Sequence, residues 1–524
     1  MRHLLLVAGL ALLFQPVSAQ LVGQTPLNPT KIPQFVDPLP HFAGARVNAK
    51  TAPDVYVKAV PHTQVAVSTG TKLATGIVGV TPGIGMANLW VYQISTDNST
   101  FTAPLWPAFT IETERNNALN VHYQNALNGQ RYSDVGLIVD RSLHAADPLM
   151  QMPAPVPPAP WTDYLGEPPI TVHLHGGEVP PASDGGPDSW FMPGNPASPR
   201  GHSYVTDTYS YPNTQEAATL WFHDHVLGAT RLNVYAGMAG FYFLRGGATE
   251  DALSLPGWSG DGLVQANDRV TNLPIGTPYL PEIEIVIQDR MFDNTGKLYF
   301  PNLPTNPLVH PTWTPEFVGD IITVNGKTWP YLSVAPRRYR FRLLNGSNAR
   351  FYNLSFPKGG PTVTQIGTDG GFLDAPLPLL NGPLLLAPGE RADVIIDFTL
   401  FPPVVNMKGK QKNSTFVLGN DARTPFPGGG VVRGNTTGRI MEFVVNGTTV
   451  GTGLDVPANY ASLTTNVKLT DFAGAPAPGV PVVKTRQLTL NEVIGAGGPL
   501  EVLVNNTKYD GLSLGTTIRP DFTP

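Results

Sequence analysis

Residues 109 to 127 read "FTIETERNNALNVHYQNAL". Two stretches in it alternate between apolar and polar residues and are bounded by Asn. Successive side chains of a strand point to opposite faces, so alternation with period two predicts half-buried β-strands. Toward the N-terminus lie Pro- and Gly-punctuated short runs such as "VAVSTGTKLATG" (65–76) and "NLWVYQIST" (88–96). Runs of strand character lie on the other side. Toward the C-terminus come "ITVHLHG" (170–176), "TLWFHDH" (219–225), "GMAGFYFLRGG" (237–247) and "EIEIVIQDRMF" (282–292). "ADVIIDF" (392–398) and "RIMEFVVNG" (439–447) follow. In "RYRFRLLNGSNARFYNLSF" (338–356) the alternation crosses an Asn345-Gly346 step, which predicts a hairpin-like turn.

Composition agrees with an all-β chain. Over 524 residues, 41% are hydrophobic, only 14% are charged, and Gly and Pro number 54 each. Few charges with frequent turn formers suit many short strands around large cores, and the length suits two to four domains. A net charge of −5 without a Lys/Arg cluster argues against a nucleic-acid partner. A stiff Pro-rich loop, "MPAPVPPAPWTDYLGEPP" (152–169), precedes the first histidine pair.

The first residues, "MRHLLLVAGLALLFQPVSAQ", carry Arg2, an apolar run and Val-Ser-Ala before Gln20. This predicts a secretory signal over 1–19 and an extracellular protein. The run is too short for a permanent membrane span, and no later stretch qualifies. Sequons at Asn98, Asn345, Asn353, Asn413, Asn435, Asn446 and Asn505 predict glycosylation. The chain has no cysteine, so neither disulfides nor thiolate ligands can form within it.

Four of eleven histidines lie in two His-x-His pairs, His173 with His175 and His223 with His225. On a strand, i and i+2 share a face, so two such strands side by side would bring four imidazoles to one space. Neutral imidazole suits Cu, Zn, Fe and Ni. The plainer reading of any one pair is two surface or hydrogen-bonded histidines. The other histidines are scattered and read as structural. Asp184, in "PASDGGPDSW" (181–190), reads as a turn residue, with a carboxylate near the metals as the alternative. A cupin-like site using Glu178 is spaced too closely to fit. "GWSGD" (257–261) lacks the last glycine of a nucleophile elbow, and no P-loop occurs.

Through "TVHLHGGEVPPASDGGPDSWF" and "LWFHDHVLGATRLNVYAGMAGFY" the chain resembles the multicopper oxidases, nearest the spore-coat laccase and bilirubin oxidase group. "IQDRMFDNTGKLYF", "GDIITVNGKTWPYLSVAPRRYRFRLLNGSNARFYNLSF", "QIGTDGGFLDAP" and "LAPGERADVIIDF" extend the likeness over most of 105–450, with a weaker echo at 485–510. The resemblance implies cupredoxin-like Greek-key β-sandwiches, two complete and the start of a third. The boundaries expected are 20–246 for the first, 247–280 for a linker, 281–449 for the second, 450–484 for another linker and 485–524 for the opening of the third.

In that family a trinuclear copper centre is held by eight histidines in four H-x-H pairs between the first and third domains. His173 then matches a type 2 copper ligand, and His175, His223 and His225 match type 3 ligands. Asp184 matches an acid that assists protons toward the oxygen site. The resemblance implies oxidation of a small aromatic donor (a phenol, an aromatic amine or a tetrapyrrole) coupled to reduction of O2 to water. The type 1 copper site needs a Cys that this chain lacks, and the third-domain His motifs are absent, leaving four of the eight cluster ligands. An oxidase represented by an incomplete chain, and a truncated copper-binding glycoprotein without activity, are both open at this stage.

Overall fold

The structure, a computed structural model, describes residues between 24 and 507, leaving out 41–45, 65–67, 69–86, 149–162, 257–281, 447–480 and several short gaps. The expected signal segment and most of both expected linkers lie outside the described residues. The fold is all-β, and among the described residues it has two short α-helices, Thr230–Ala236 and Ala248–Asp251.

Two sandwiches carry the described core. In the first, a five-stranded sheet runs Val47–Asn48, Ala108–Glu114, Ala239–Arg245, Ala218–Asp224, Val172–His175. It faces a four-stranded sheet ordered Ala87–Ser95, Asp54–Gln64, Leu119–Asn125, Thr208–Tyr211. The two strands of the 109–127 stretch therefore lie in opposite sheets. Val121, Tyr123, Leu220, Phe222 and Tyr242 are among the side chains buried between them.

The second sandwich has a seven-stranded sheet whose centre runs Glu282–Arg290, Arg338–Asn345, Arg391–Asp397, Thr362–Thr368. A five-stranded sheet covers it, ordered Tyr331–Val334, Arg439–Val445, Ser414–Asn420, Tyr352–Ser355, Leu384–Leu386. Here the hairpin expectation for 338–356 fails. Arg338–Asn345 pairs with Glu282–Arg290 and Arg391–Asp397, whereas Tyr352–Ser355 pairs in the facing sheet. The Asn345 side chain donates to the carbonyls of Arg350 and Leu386 and so ties a crossover between sheets. A two-residue hairpin turn would leave those carbonyls elsewhere.

The large sheets of the two sandwiches pack against each other. Trp221, Phe241 and Phe243 from the first meet Val286 and Leu344 from the second. Beside this apolar patch runs a buried charged seam. Arg46, Arg245, Arg340 and Arg342 interleave with Glu112, Glu250, Glu282, Glu284 and Asp393. The closest contacts include Arg245 to Glu282 at 2.6 Å and Arg340 to Asp393 at 2.6 Å. Burial alone would raise the Glu250 carboxyl, but Arg340, Arg245 and Arg342 hold it down at about 2. A third set of strands, Leu490–Gly495 and Gly498–Val504, forms an antiparallel hairpin.

Candidate metal centre

The histidine strands pair edge to edge. Val172–His175 runs antiparallel to Ala218–Asp224, with His173 opposite His223 and His175 opposite Trp221. His225 continues the register, its N–H donating to the Thr171 carbonyl at 2.8 Å. Val172, Leu174, Leu220 and Phe222 alternate inward and are buried in the first core. The pleat therefore sends all four imidazoles to the other face, toward the second sandwich. Ring centroids lie 5.6 Å apart for His173–His175 and His173–His223, 5.1 Å for His173–His225, and 5.5 Å for His175–His223.

The hydrogen bonds fix which nitrogens are spoken for. His173 Nδ1 is 2.7 Å from the Asp184 carbonyl, and His223 Nδ1 is 2.7 Å from the Asp224 carbonyl. A carbonyl only accepts, so both Nδ1 atoms carry the proton and both Nε2 atoms keep a lone pair. His175 Nδ1 lies 3.2 Å from His223 Nε2. His225 Nδ1 is buried with no partner among the described residues. Burial, with Arg391, His173 and His225 adding to it, pushes His175 down to about 4. Burial likewise drives His223 well below the usual imidazole range and lowers His225. At neutral pH these three rings are uncharged, the state a metal ligand requires.

The donor set fits copper. Neutral imidazole is a preferred copper ligand, and a 3.2 Å nitrogen pair matches two ligands sharing one ion at bonds of about 2.0 Å. Among the described residues no three donors converge closely enough to hold an ion by themselves. The arrangement is a partial cradle.

Asp184 sits at the end of the short 3-10 turn Pro181–Ser183, half exposed, with a carboxylate oxygen 3.3 Å from His173 Nδ1. It is both a turn residue and a neighbour of the cluster, so its two sequence readings are compatible. Glu178 is exposed and its N–H donates to Gln215, away from the rings. His122 stacks on Tyr56 and bonds Asp54, and His310 bonds Ser142, both structural placements.

Several residues at the site were not singled out from sequence. Trp221 stacks on His175 and lies 4.1 Å from the His223 ring. Gly389, at φ +82, brings a second-sandwich turn so close that an added Cβ would meet His175 Cε1 at 3.1 Å. Arg391, behind that turn, donates to the Thr219 and Gly389 carbonyls and pairs with Asp369. The available signal was the "APGERAD" turn (387–393), whose tertiary partner no local pattern announces. Asp224 faces the opposite way, as alternation between two histidines requires. Burial pushes it up to about 7, and it accepts from Asn233 Nδ2 at 2.9 Å.

Of the sequons, Asn98, Asn435 and Asn505 are exposed, and Asn353 and Asn413 are half exposed. Asn345 and Asn446 are buried, and the Asn345 amide donates to the Arg350 and Leu386 carbonyls.

A family model described as multicopper oxidase matches residues 162–248, the segment that holds all four histidines. Multicopper oxidase LPR1 homolog 3 of Oryza sativa subsp. japonica is 33% identical over 429 residues, covering 81% of this chain and 69% of that protein. The chain belongs to the multicopper oxidase family. A laccase of Bacillus subtilis is 37% identical over 344 residues, covering 65% of this chain and 56% of the laccase. The fold is similar to McoA multicopper oxidase from the hyperthermophile Aquifex aeolicus, with a TM-score of 0.55 over 91% of this chain and 75% of that one, at 22% identity. This multicopper oxidase chain spans 53 and 57% of the length of two further curated relatives, a plant and a Bacillus protein. No helix of the described residues is long and apolar enough to cross a membrane.

Proposed function

We propose that this chain supplies half the ligands of a trinuclear copper centre in a secreted oxidase of laccase or bilirubin-oxidase type. The observation that carries the reading is the convergence of His173, His175, His223 and His225 on one face, uncommitted nitrogens included. His173 would hold type 2 copper, and His175, His223 and His225 type 3 copper. Bound copper would supply the one-electron steps that join oxidation of a small aromatic donor to four-electron reduction of O2.

The protein groups set the conditions for that chemistry. The Asp184 and Asp224 carbonyls fix the tautomers of His173 and His223. Trp221 and the Gly389 turn limit how far His175 can swing. The Asp184 carboxylate, 3.3 Å from His173 Nδ1 and half exposed, would hand protons inward from solvent. With no thiolate in these 524 residues, a type 1 site in the whole protein draws its Cys from outside them. The N-terminal signal pattern and the exposed sequons support secretion and glycosylation.

A second reading, a copper-binding glycoprotein without oxidase activity, is favoured by the absence of three converging donors among the described residues. One experiment separates them. In an oxidase whose sequence contains these residues and a blue site, His173→Ala should deplete type 2 copper and abolish O2 reduction while sparing the blue band. Loss of the blue band with oxygen chemistry intact would overturn the assignment. The chain as given should bind copper without an intense blue absorption.

A further inference from the structure

The second sandwich contains a cavity of about 610 Å³ between its two sheets. One wall is Leu343, Val394 and Ile396; the other is Leu354, Leu418 and Phe443. All six side chains are buried. The cavity is bordered by the 356–361 loop and by Leu379, Gly382, Pro383 and Leu384, and none of the four histidines lines it.

The size and lining matter together. Protein interiors are packed to crystal-like density, and voids beyond a water molecule are few. Water entering from the mouth meets a lining more apolar than polar, with its polar groups toward the mouth. The volume falls within the range of sites that enclose small molecules, and such sites are mostly apolar with a few polar groups at one end.

The mouth has that polarity. Lys358 and Asp421 both border it. The Asp421 carboxylate is engaged by Asn353 Nδ2 at 2.6 Å. Lys358 is exposed and makes no ion pair among the described residues. Gly359 and Gly360 follow it in the loop, and a Cβ added at Gly359 would meet nothing within 4 Å.

We propose that the second sandwich binds an amphiphilic monoanion of fatty-acid type, its chain between the sheets and its carboxylate at Lys358. The site is independent of copper and uses none of the four histidines.

The test uses the full chain without added metal, with dodecanoate and dodecanol as probes that displace a fluorescent apolar reporter. One saturable dodecanoate site is expected. Lys358→Glu should weaken dodecanoate by roughly tenfold, the scale of one lost charge-assisted contact, and leave dodecanol unchanged. Val394→Phe, which fills the space, should abolish binding of both. Because that variant can fail to fold, a dodecanoate analogue with a diazirine at its chain end is cross-linked to the unaltered protein. Labelling on the peptides of Leu343, Val394 or Leu418 supports the site. Absence of saturable binding, labelling elsewhere, or full affinity in a folded Val394→Phe protein would overturn it. Equal effects of Lys358→Glu on acid and alcohol would overturn the assignment of the head group.

Discussion

Along the charged seam, Arg46, Arg245, Arg340 and Arg342 each meet at least two carboxylates. In the histidine cluster, on the same sheet face, carbonyls take His173 Nδ1 and His223 Nδ1, but His175 Nδ1 and His223 Nε2 meet only each other and buried His225 Nδ1 meets nothing among the described residues. Both regions place polar side chains where the first sandwich turns toward the second, so location does not distinguish them. Satisfaction does. A buried polar group without a partner is costly, and a protein keeps one where something else completes it. The seam closes on its own groups and holds the sandwiches together. The cluster does not close, and it leaves lone pairs available for metal.

The largest expected effect tests the seam. Glu282→Ala leaves Arg245 and Arg342 short of a carboxylate inside the interface. It should lower unfolding free energy by about 3 kcal/mol or more. Denaturant titration measures this, and a loss under about 1 kcal/mol would show that the seam is not tightly desolvated. Copper bound per folded molecule should not change.

Acid offers a second way to break the seam. Burial would raise Glu112 and Glu250, but arginines hold both at about 2, below the ordinary 4.5. The unfolded chain takes up those protons first as pH falls. Their contribution is therefore complete above about pH 4.5 and is lost as pH drops from there toward 2. Unfolding free energies at pH 6 and pH 3 should differ in that direction; equal values would remove the pairs from the account.

The cluster should behave oppositely. Gly389→Ala strains a left-handed turn and crowds His175, costing about 1–2 kcal/mol. A copper signal shifted in that variant would show the turn positions the ring; an unmoved signal would make it structural only. The smallest effect is His225→Leu. Replacing a buried nitrogen that has no partner with an apolar side chain should leave metal-free stability within about 1 kcal/mol, neutral or slightly improved. Copper binding should fall sharply. A large destabilisation without metal would mean that His225 is structural.

Much of this was legible locally. Alternation located the strands at 109–127, 282–292 and 392–398, and the i, i+2 spacing placed each histidine pair on one face. Alternation could not reveal that the Asn345-Gly346 step crosses between sheets, because a turn and a crossover use similar residues. Nor could it show that Glu282, Glu284, Arg340 and Arg342 are buried, since a polar face reads the same against water as against another charged sheet.

By itself, then, the sequence determined the class of the fold, the inward faces of its strands and the identity of the four imidazoles. Those depend on the two-residue pleat and on side-chain chemistry, both local properties. Only the tertiary structure decided that the two pairs share a register, that the Gly389 turn lies against His175, and that the charged faces bury each other. Each depends on contacts between residues far apart in the chain, whose partners no single segment specifies.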